Sequence, residues 1–171
     1  MNDILVTGGT GFVGSHMIDY ILKYAIRPEQ KIYCTKRWLE DTKNVDHIDD
    51  KRFQFIDCDF NDAPSVYRAI EISKPEKVFH FAAQSFPEVS FHTPATTLST
   101  NTLGTTYLLE AIRNSDCDPV IVSVSTSEVY GMPEEDEIPI KETNPIRAAN
   151  PYSISKVGHD LMSQYYHKAY G

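Results

Sequence analysis

Apolar residues in this chain come in short bursts separated by longer mixed stretches. The bursts fall at 4–6, 31–35, 53–57, 77–81 and 120–124, and the last reads Val120-Ile121-Val122-Ser123-Val124. Each is too short for an ordinary helix and is rich in β-branched and aromatic residues, so each predicts a strand. The stretches between them carry helical spacing. Met17, Ile18, Ile21 and Leu22 predict a helix over 12–26, which Pro28 helps to end. Val66, Ala69, Ile70 and Ser73 share one face of a helix over 62–73, which Pro75 closes. Pro94 opens a long helix over about 95–114, and Pro151 opens another that runs to about Tyr170. Residues 36–51 are polar and predict a loop with at most one helical turn. Strands alternating with helices predict an α/β domain with a parallel sheet covered on both faces.

The first strand runs into Thr7-Gly8-Gly9-Thr10-Gly11-Phe12-Val13-Gly14, and a helix follows. Gly9, Gly11 and Gly14 fit G-x-G-x-x-G, and Gly8, Gly11 and Gly14 fit G-x-x-G-x-x-G. Strand, glycine turn and helix in that order form the context of a dinucleotide fingerprint: the turn brings backbone close to a pyrophosphate and the helix N-terminus faces the anion. With right-handed crossovers the sheet order is 3-2-1-4-5, a Rossmann-type doubly wound fold occupying residues 1–171 as one domain.

Composition narrows the function. A net charge of −8 argues against nucleic acid, and no apolar run reaches the length of a membrane span. The N-terminus lacks the basic region of a signal peptide, which points to the cytoplasm. Cys34, Cys58 and Cys117 are widely spaced and read as small buried residues, so no metal site is expected.

The second strand ends Thr35-Lys36-Arg37, without the carboxylate that accepts ribose hydroxyls in NAD sites. Arg37 suits a 2′-phosphate and favours NADP, although Glu40 or Asp41 is near enough to reach the ribose of NAD. Asp59, with Phe60 past the third strand, is placed either to accept from an adenine amino group or to cap the next helix. Ser125-Thr126-Ser127-Glu128 follows the fifth strand, at the sheet edge where ligands bind. Tyr152 and Lys156 lie four apart near the start of a helix and share a face. A lysine ammonium and an oxidised nicotinamide beside Tyr152 favour its phenolate, so the pair reads as a base that removes a hydroxyl proton while hydride leaves the same carbon. Glu128 offers the second base that an elimination needs. His80 reads as a satisfied core histidine, Glu134-Glu135-Asp136-Glu137 as a solvated charge run, and Trp38 as a cover for either adenine or the sheet edge.

With these residues in place, the chain resembles the extended short-chain dehydrogenase/reductases of the nucleotide-sugar epimerase and dehydratase family. The matching elements are the glycine turn, Phe81-Ala82-Ala83, Asn101 with Gly104-Thr105, the stretch from Ser125 to Gly131, and Tyr152 to Lys156. Ala82-Ala83-Gln84-Ser85, Val89-Ser90-Phe91, Ser125-Thr126-Ser127-Glu128 and Arg37 are most similar to the GDP-mannose 4,6-dehydratase branch. Dehydratases acting on dTDP-glucose place an aspartate where Ser127 stands, and carry an acidic residue after the second strand. The resemblance implies a lyase that uses tightly bound NADP, with NAD as the other option, to move hydride from C4 to C6 of a nucleotide-sugar with loss of water. It implies a catalytic set of Thr126, Glu128, Tyr152 and Lys156. It implies cofactor contacts from Gly8, Thr10, Gly11, Phe12, Val13, Gly14, Arg37, Asp59, Phe60, Phe81, Ala82 and Ala83 as well as Tyr152 and Lys156. Substrate, GDP-mannose in that branch, would be met by Ser85, Thr126 and Glu128.

The same family continues for roughly as many residues again, with further strands and a substrate domain that are missing here. It pairs protomers as dimers or tetramers through helices near 95–114 and 152–168. In this chain Leu98, Leu108, Ala111 and Ile112 serve either that pairing or the chain's own sheet. Without a sixth strand, 120–124 is expected to be an apolar edge prone to association. Two other readings stand beside the dehydratase: an epimerase or reductase on the same scaffold, which dispenses with Glu128 as a base, and a non-catalytic NADP-binding sensor, which has no need of the Tyr152–Lys156 pair.

Overall fold

A computed structural model describes residues 3–171. Its central strand, β1 (Asp3–Thr7), is buried along its whole length. Alternate side chains enter opposite layers, as the period-2 geometry of a strand requires. Leu5 joins Tyr33, Val66, Ile70, Val78 and Leu108 on one side, while Ile4 and Val6 join Ile18, Ile32 and Cys34 on the other. The partners of β1 are β2 (Ile32–Lys36) and β4 (Pro75–His80), with Leu5 opposite Tyr33 and Val78. Adding β3 (Phe53–Asp57) and β5 (Val120–Ser123) completes a five-stranded parallel sheet in the order β3-β2-β1-β4-β5.

The first helix, α1 (Phe12–Tyr20), continues as a π-helical turn over Ile21–Ala25. The next, α2 (Ala63–Ser73), is capped by Asp62, whose side chain accepts from the Ser65 N–H, and ends at Lys74 in a left-handed conformation. The capping role considered for Asp59 therefore belongs to Asp62. Pro75 opens β4 rather than closing the helix, because Lys74 has already turned the chain. A short helix that the apolar spacing did not predict, α3 (Pro87–His92), leads into the expected long one. That long helix is in three pieces: α4 (Pro94–Leu98), a π-helical stretch Ser99–Leu103, and α5 (Gly104–Arg113). Asn101 lies buried in the π stretch, where its Oδ1 accepts from the Gln84 N–H at 2.8 Å and its Nδ2 donates to the Gln84 carbonyl at 3.0 Å. Within α5, Leu108 and Ala111 are buried in the chain's own core, and Leu98 on α4 remains exposed.

The last helix, α6 (Pro151–Tyr170), begins in a capping box: Asn150 accepts from the Ser153 N–H, and Ser153 reaches back to the Asn150 N–H. Its buried face is Tyr152, Ser153, Ser155, Lys156 and His159, a set with no aliphatic member. On the sheet edge formed by β5, Val120 and Val122 are exposed. No helix among the described residues is long and apolar enough to cross a membrane. In the charge run 134–137, Glu134, Glu135 and Asp136 are exposed as expected, while Glu137 makes two hydrogen bonds with the Arg147 guanidinium, at 2.6 and 2.9 Å, and so ties the loop to the segment before α6.

Candidate active site

The glycine turn has the shape that an anion cradle needs. Gly8 has φ +65°, and its N–H donates to Thr35 Oγ1 at 3.2 Å. No side chain caps α1, which leaves its first-turn N–H groups and positive dipole end available to an anion. A Cβ on Gly14 would stand 2.4 Å from the Gly8 carbonyl, whereas one on Gly11 would stand 3.3 Å from the same atom. Gly14→Ala should therefore push α1 off the turn and weaken dinucleotide binding by at least about tenfold, an effect of some 1.4 kcal/mol within the usual cost of overpacking. Gly11→Ala should do far less. Titration of both variants with nicotinamide dinucleotide, monitored by fluorescence, checks the contrast.

Beside the turn lies a cavity of about 570 Å³ along the carboxyl edge of the sheet. Gly8, Thr10, Gly11, Phe12, Val13 and Gly14 form one wall. Arg37 with Glu40, Asp59 with Phe60, and Phe81 with Ala82, Ala83 and Ser85 follow across the strand ends, and Tyr152 and Lys156 close the far side. Every residue expected to touch a cofactor thus lines a single space, as does Ser85. Thr126 and Glu128 stand off its wall. Asp59 Oδ1 accepts from the Asn61 backbone N–H at 2.9 Å. Glu40 is more firmly built in than sequence indicated. It accepts from Thr10 Oγ1 at 3.2 Å and from the Arg37 backbone N–H at 2.7 Å, and the Arg37 guanidinium sits 3.6 Å from it. Trp38 is 75% exposed, with Lys36 Nζ 5.8 Å from its ring centroid. Ser125, also on the cavity wall, has a buried hydroxyl without a hydrogen-bond partner among the described residues. A buried unpaired polar group is costly unless something answers it. The glycine cradle and this hydroxyl both fit a bound dinucleotide.

The chemical groups gather at the start of α6. Tyr152 stands near enough to Thr126 and Glu128 for both to act on its phenol. Burial raises the Tyr152 pKa, with Glu128 adding to the rise and Thr126 opposing it. This corrects the expectation that Lys156 lowers it: the lysine is not among the groups that act on the phenol here, and desolvation prevails. Lys156 is buried, donates to the Val124 carbonyl at 2.6 Å, and is pushed down to about 8 by that burial. Thr126 Oγ1 also accepts from the Glu128 N–H at 3.3 Å, and Glu128 Oε2 accepts from Asn150 Nδ2 at 2.9 Å.

Beneath this cluster runs a buried polar column. Thr7 Oγ1 is 2.7 Å from His80 Nδ1, and His80 Nε2 is 2.9 Å from Thr105 Oγ1. Thr105 Oγ1 is 2.8 Å from His159 Nδ1, whose Nε2 is 2.6 Å from Ser123 Oγ. The two imidazoles stack with centroids 5.3 Å apart. His80 is thus the satisfied core histidine expected, but its companion His159 was not foreseen. Burial, together with the nearby Lys156 charge, holds His80 well below the ordinary histidine value and brings His159 down to about 3.

With this geometry, the chain matches a family model described as GDP-mannose 4,6 dehydratase over residues 5–171. It is 31% identical to a GDP-mannose 4,6-dehydratase of Vibrio cholerae, across 98% of this chain and 46% of that protein. It is 34% identical to a UDP-glucose 4-epimerase of Streptococcus mutans, across 98% and 48%. The crystal structure of DesIV, a dTDP-glucose 4,6-dehydratase from Streptomyces venezuelae with NAD bound, superposes with a TM-score of 0.88 at 32% identity, covering 99% of this chain and 52% of that one. The chain spans about half the length of the curated relatives it matches.

Proposed function

The chain belongs to the extended short-chain dehydrogenase/reductase family of nucleotide-sugar dehydratases and epimerases, and from that membership we propose that the intact protein is a nucleotide-sugar 4,6-dehydratase acting on GDP-mannose. One observation carries the choice of dehydratase: a second potential base, the Glu128 carboxylate, is close enough for its charge to reach Tyr152, and the Glu128 N–H is bonded to Thr126 Oγ1. A 4-epimerase needs one acid–base group at C4, whereas loss of water across C5 and C6 needs a base at C5 as well. The choice of GDP-mannose is supported by the description of the matching family and by Ser127, which stands where dTDP-glucose dehydratases place an aspartate.

In this reading Tyr152 takes the C4 hydroxyl proton, and Thr126 holds the C4 oxygen through the hydroxyl that meets Tyr152. Bound nicotinamide supplies the hydride acceptor at C4 and the hydride donor at C6. Lys156 fixes the cofactor ribose, and the positive charge of an oxidised nicotinamide beside Tyr152 favours its phenolate. Glu128 removes the C5 proton, which is acidic once C4 is a ketone, and passes it to the C6 hydroxyl, which departs as water. Incubating the intact protein with GDP-mannose, dTDP-glucose and UDP-glucose in turn tests the assignment. A 4-keto-6-deoxy product from GDP-mannose supports it, and inversion at C4 without loss of water refutes it.

We assign the cofactor as NADP on Arg37, whose guanidinium is exposed at the cavity mouth and held only by a 3.6 Å contact to Glu40. A 2′-phosphate displaces so loose a pair by offering bidentate, charge-assisted bonds. The alternative is NAD, and the clamp on Glu40 favours it, because a fixed carboxylate accepts ribose hydroxyls and repels a 2′-phosphate. NADPH should bind more tightly than NADH, by roughly the tenfold that one charge-assisted contact is worth. Arg37→Ala should erase that preference, and Glu40→Gln should enlarge it. Equal affinities in the parent, or tighter binding of NADH than of NADPH, would assign NAD instead. Calorimetric titration measures all three proteins.

A further inference from the structure

Asn150 uses both ends of its side-chain amide. Oδ1 accepts from the Ser153 N–H at 2.8 Å and caps α6, the helix that carries Tyr152 and Lys156. Nδ2 donates to Glu128 Oε2 at 2.9 Å. The only hydrogen bond to the Glu128 carboxylate among the described residues is this one, so Oε1 is left without a protein partner. A second tie joins the same two segments: the Arg147 N–H donates to the Val129 carbonyl at 2.9 Å. The turn that bears Glu128 (Ser127–Tyr130) is therefore hung from the chain just before the catalytic helix.

The choice of residue carries information. Asparagine, aspartate and serine cap helices about equally well. Of the three, only asparagine caps with an oxygen and still has an N–H to give a carboxylate. Aspartate would place a second negative charge against Glu128, and serine would leave Glu128 without its donor. A purely structural cap has no reason to prefer asparagine here.

We propose that Asn150 is a positioning residue for the C5 base: its amide fixes one oxygen of Glu128 and turns the other oxygen toward the substrate. This rests on the reading of Glu128 as that base. It also couples the base to the helix bearing Tyr152, so the groups serving C4 and C5 hold a constant separation.

The test uses Asn150→Asp and Asn150→Ser in the intact protein, with Glu128→Gln alongside. Both Asn150 variants keep the cap, so melting temperature and cofactor affinity should match the parent. With GDP-mannose, Asn150→Ser should slow solvent exchange at C5 and product formation by roughly tenfold, the loss expected for a hydrogen bond to a charged group. Oxidation at C4 should persist, so reduced nicotinamide should accumulate in the ultraviolet spectrum. In Asn150→Asp the acidic limb of the pH–rate profile should move to higher pH, because a neighbouring carboxylate raises the proton affinity of Glu128. A cap without a positioning role would leave the exchange rate and the pH limb at parental values in both variants. If Glu128→Gln slows C5 exchange while the Asn150 variants do not, the positioning role is overturned and the base assignment stands. If Glu128→Gln leaves the exchange unchanged, the base assignment falls, and this inference with it.

Discussion

Glu128→Gln should abolish dehydration in the intact protein while leaving nicotinamide dinucleotide affinity unchanged. The cofactor cavity is lined by the glycine turn, the strand ends, Tyr152 and Lys156, and Glu128 stands off its wall. Glutamine keeps the shape and can still meet Asn150, but it cannot take a proton. A positioned general base contributes about 10²- to 10⁴-fold, so turnover should drop by that factor. Oxidation at C4 depends on Tyr152 and Lys156 and should continue, converting part of the cofactor to its reduced form. Proton exchange at C5, followed by deuterium incorporation, reports on the step directly. Exchange at the parental rate in the variant would remove Glu128 from the role.

Acid should destabilise this domain early, before its carboxylates begin to titrate. His80 and His159 are neutral and buried, with pKa values held well below the ordinary value and at about 3. In the unfolded chain both take up a proton near pH 6.5. The unfolded state then binds more protons than the folded one at any pH between those limits, so stability falls as pH falls. Each histidine contributes a slope approaching about 1.4 kcal/mol per pH unit. Together they should remove about 4 kcal/mol between pH 7 and pH 5, a large share of the 5–15 kcal/mol that a typical domain has. Carboxylates held low by guanidinium partners, such as Asp50 and Glu110 at about 2, lose their contribution only below about pH 4.5. Chemical denaturation at pH 7, 6 and 5 should show this slope, and His159→Gln should roughly halve it. A flat profile over that range would mean that the folded protein accommodates imidazolium at both positions.

The parts that sequence revealed are those whose signal is local. Leu5 and Val6 fall on opposite faces because a strand alternates, and Gly8 to Gly14 sit where backbone must approach a phosphate. Tyr152 and Lys156 share a face because four residues nearly complete a helical turn. All the residues expected at the cofactor line one cavity because strand ends in a parallel sheet converge on one edge. What sequence hid depends on pairings between distant polar residues, which have no periodicity. Asn150 and Glu128 are 22 positions apart, each in a segment that reads as loop. His159 and Thr105 are 54 apart, and the buried face of α6 looks like a solvated one because it is entirely polar or aromatic. The break in the helix over Ser99–Leu103 was hidden for a related reason: Asn101 serves the Gln84 backbone, and no helical spacing encodes that demand. Glu137 looked like one acid among four until Arg147 was brought against it.

The polar column also works as an index mark. Two apolar surfaces can creep past each other by a fraction of a turn at modest cost, because one methylene replaces another in much the same contact. Imidazole and hydroxyl groups bonded at 2.6–2.9 Å allow no such play. A slip of one turn would carry His159 about 5.4 Å away from Ser123 and Thr105 and leave several buried polar groups unanswered at once. The column reaches from Thr7, where the glycine turn begins, to His159, one turn beyond Lys156. It therefore sets the height of Tyr152 and Lys156 above the phosphate cradle. Substitutions among the aliphatic neighbours in the core would then leave the tyrosine at its place on the cavity wall.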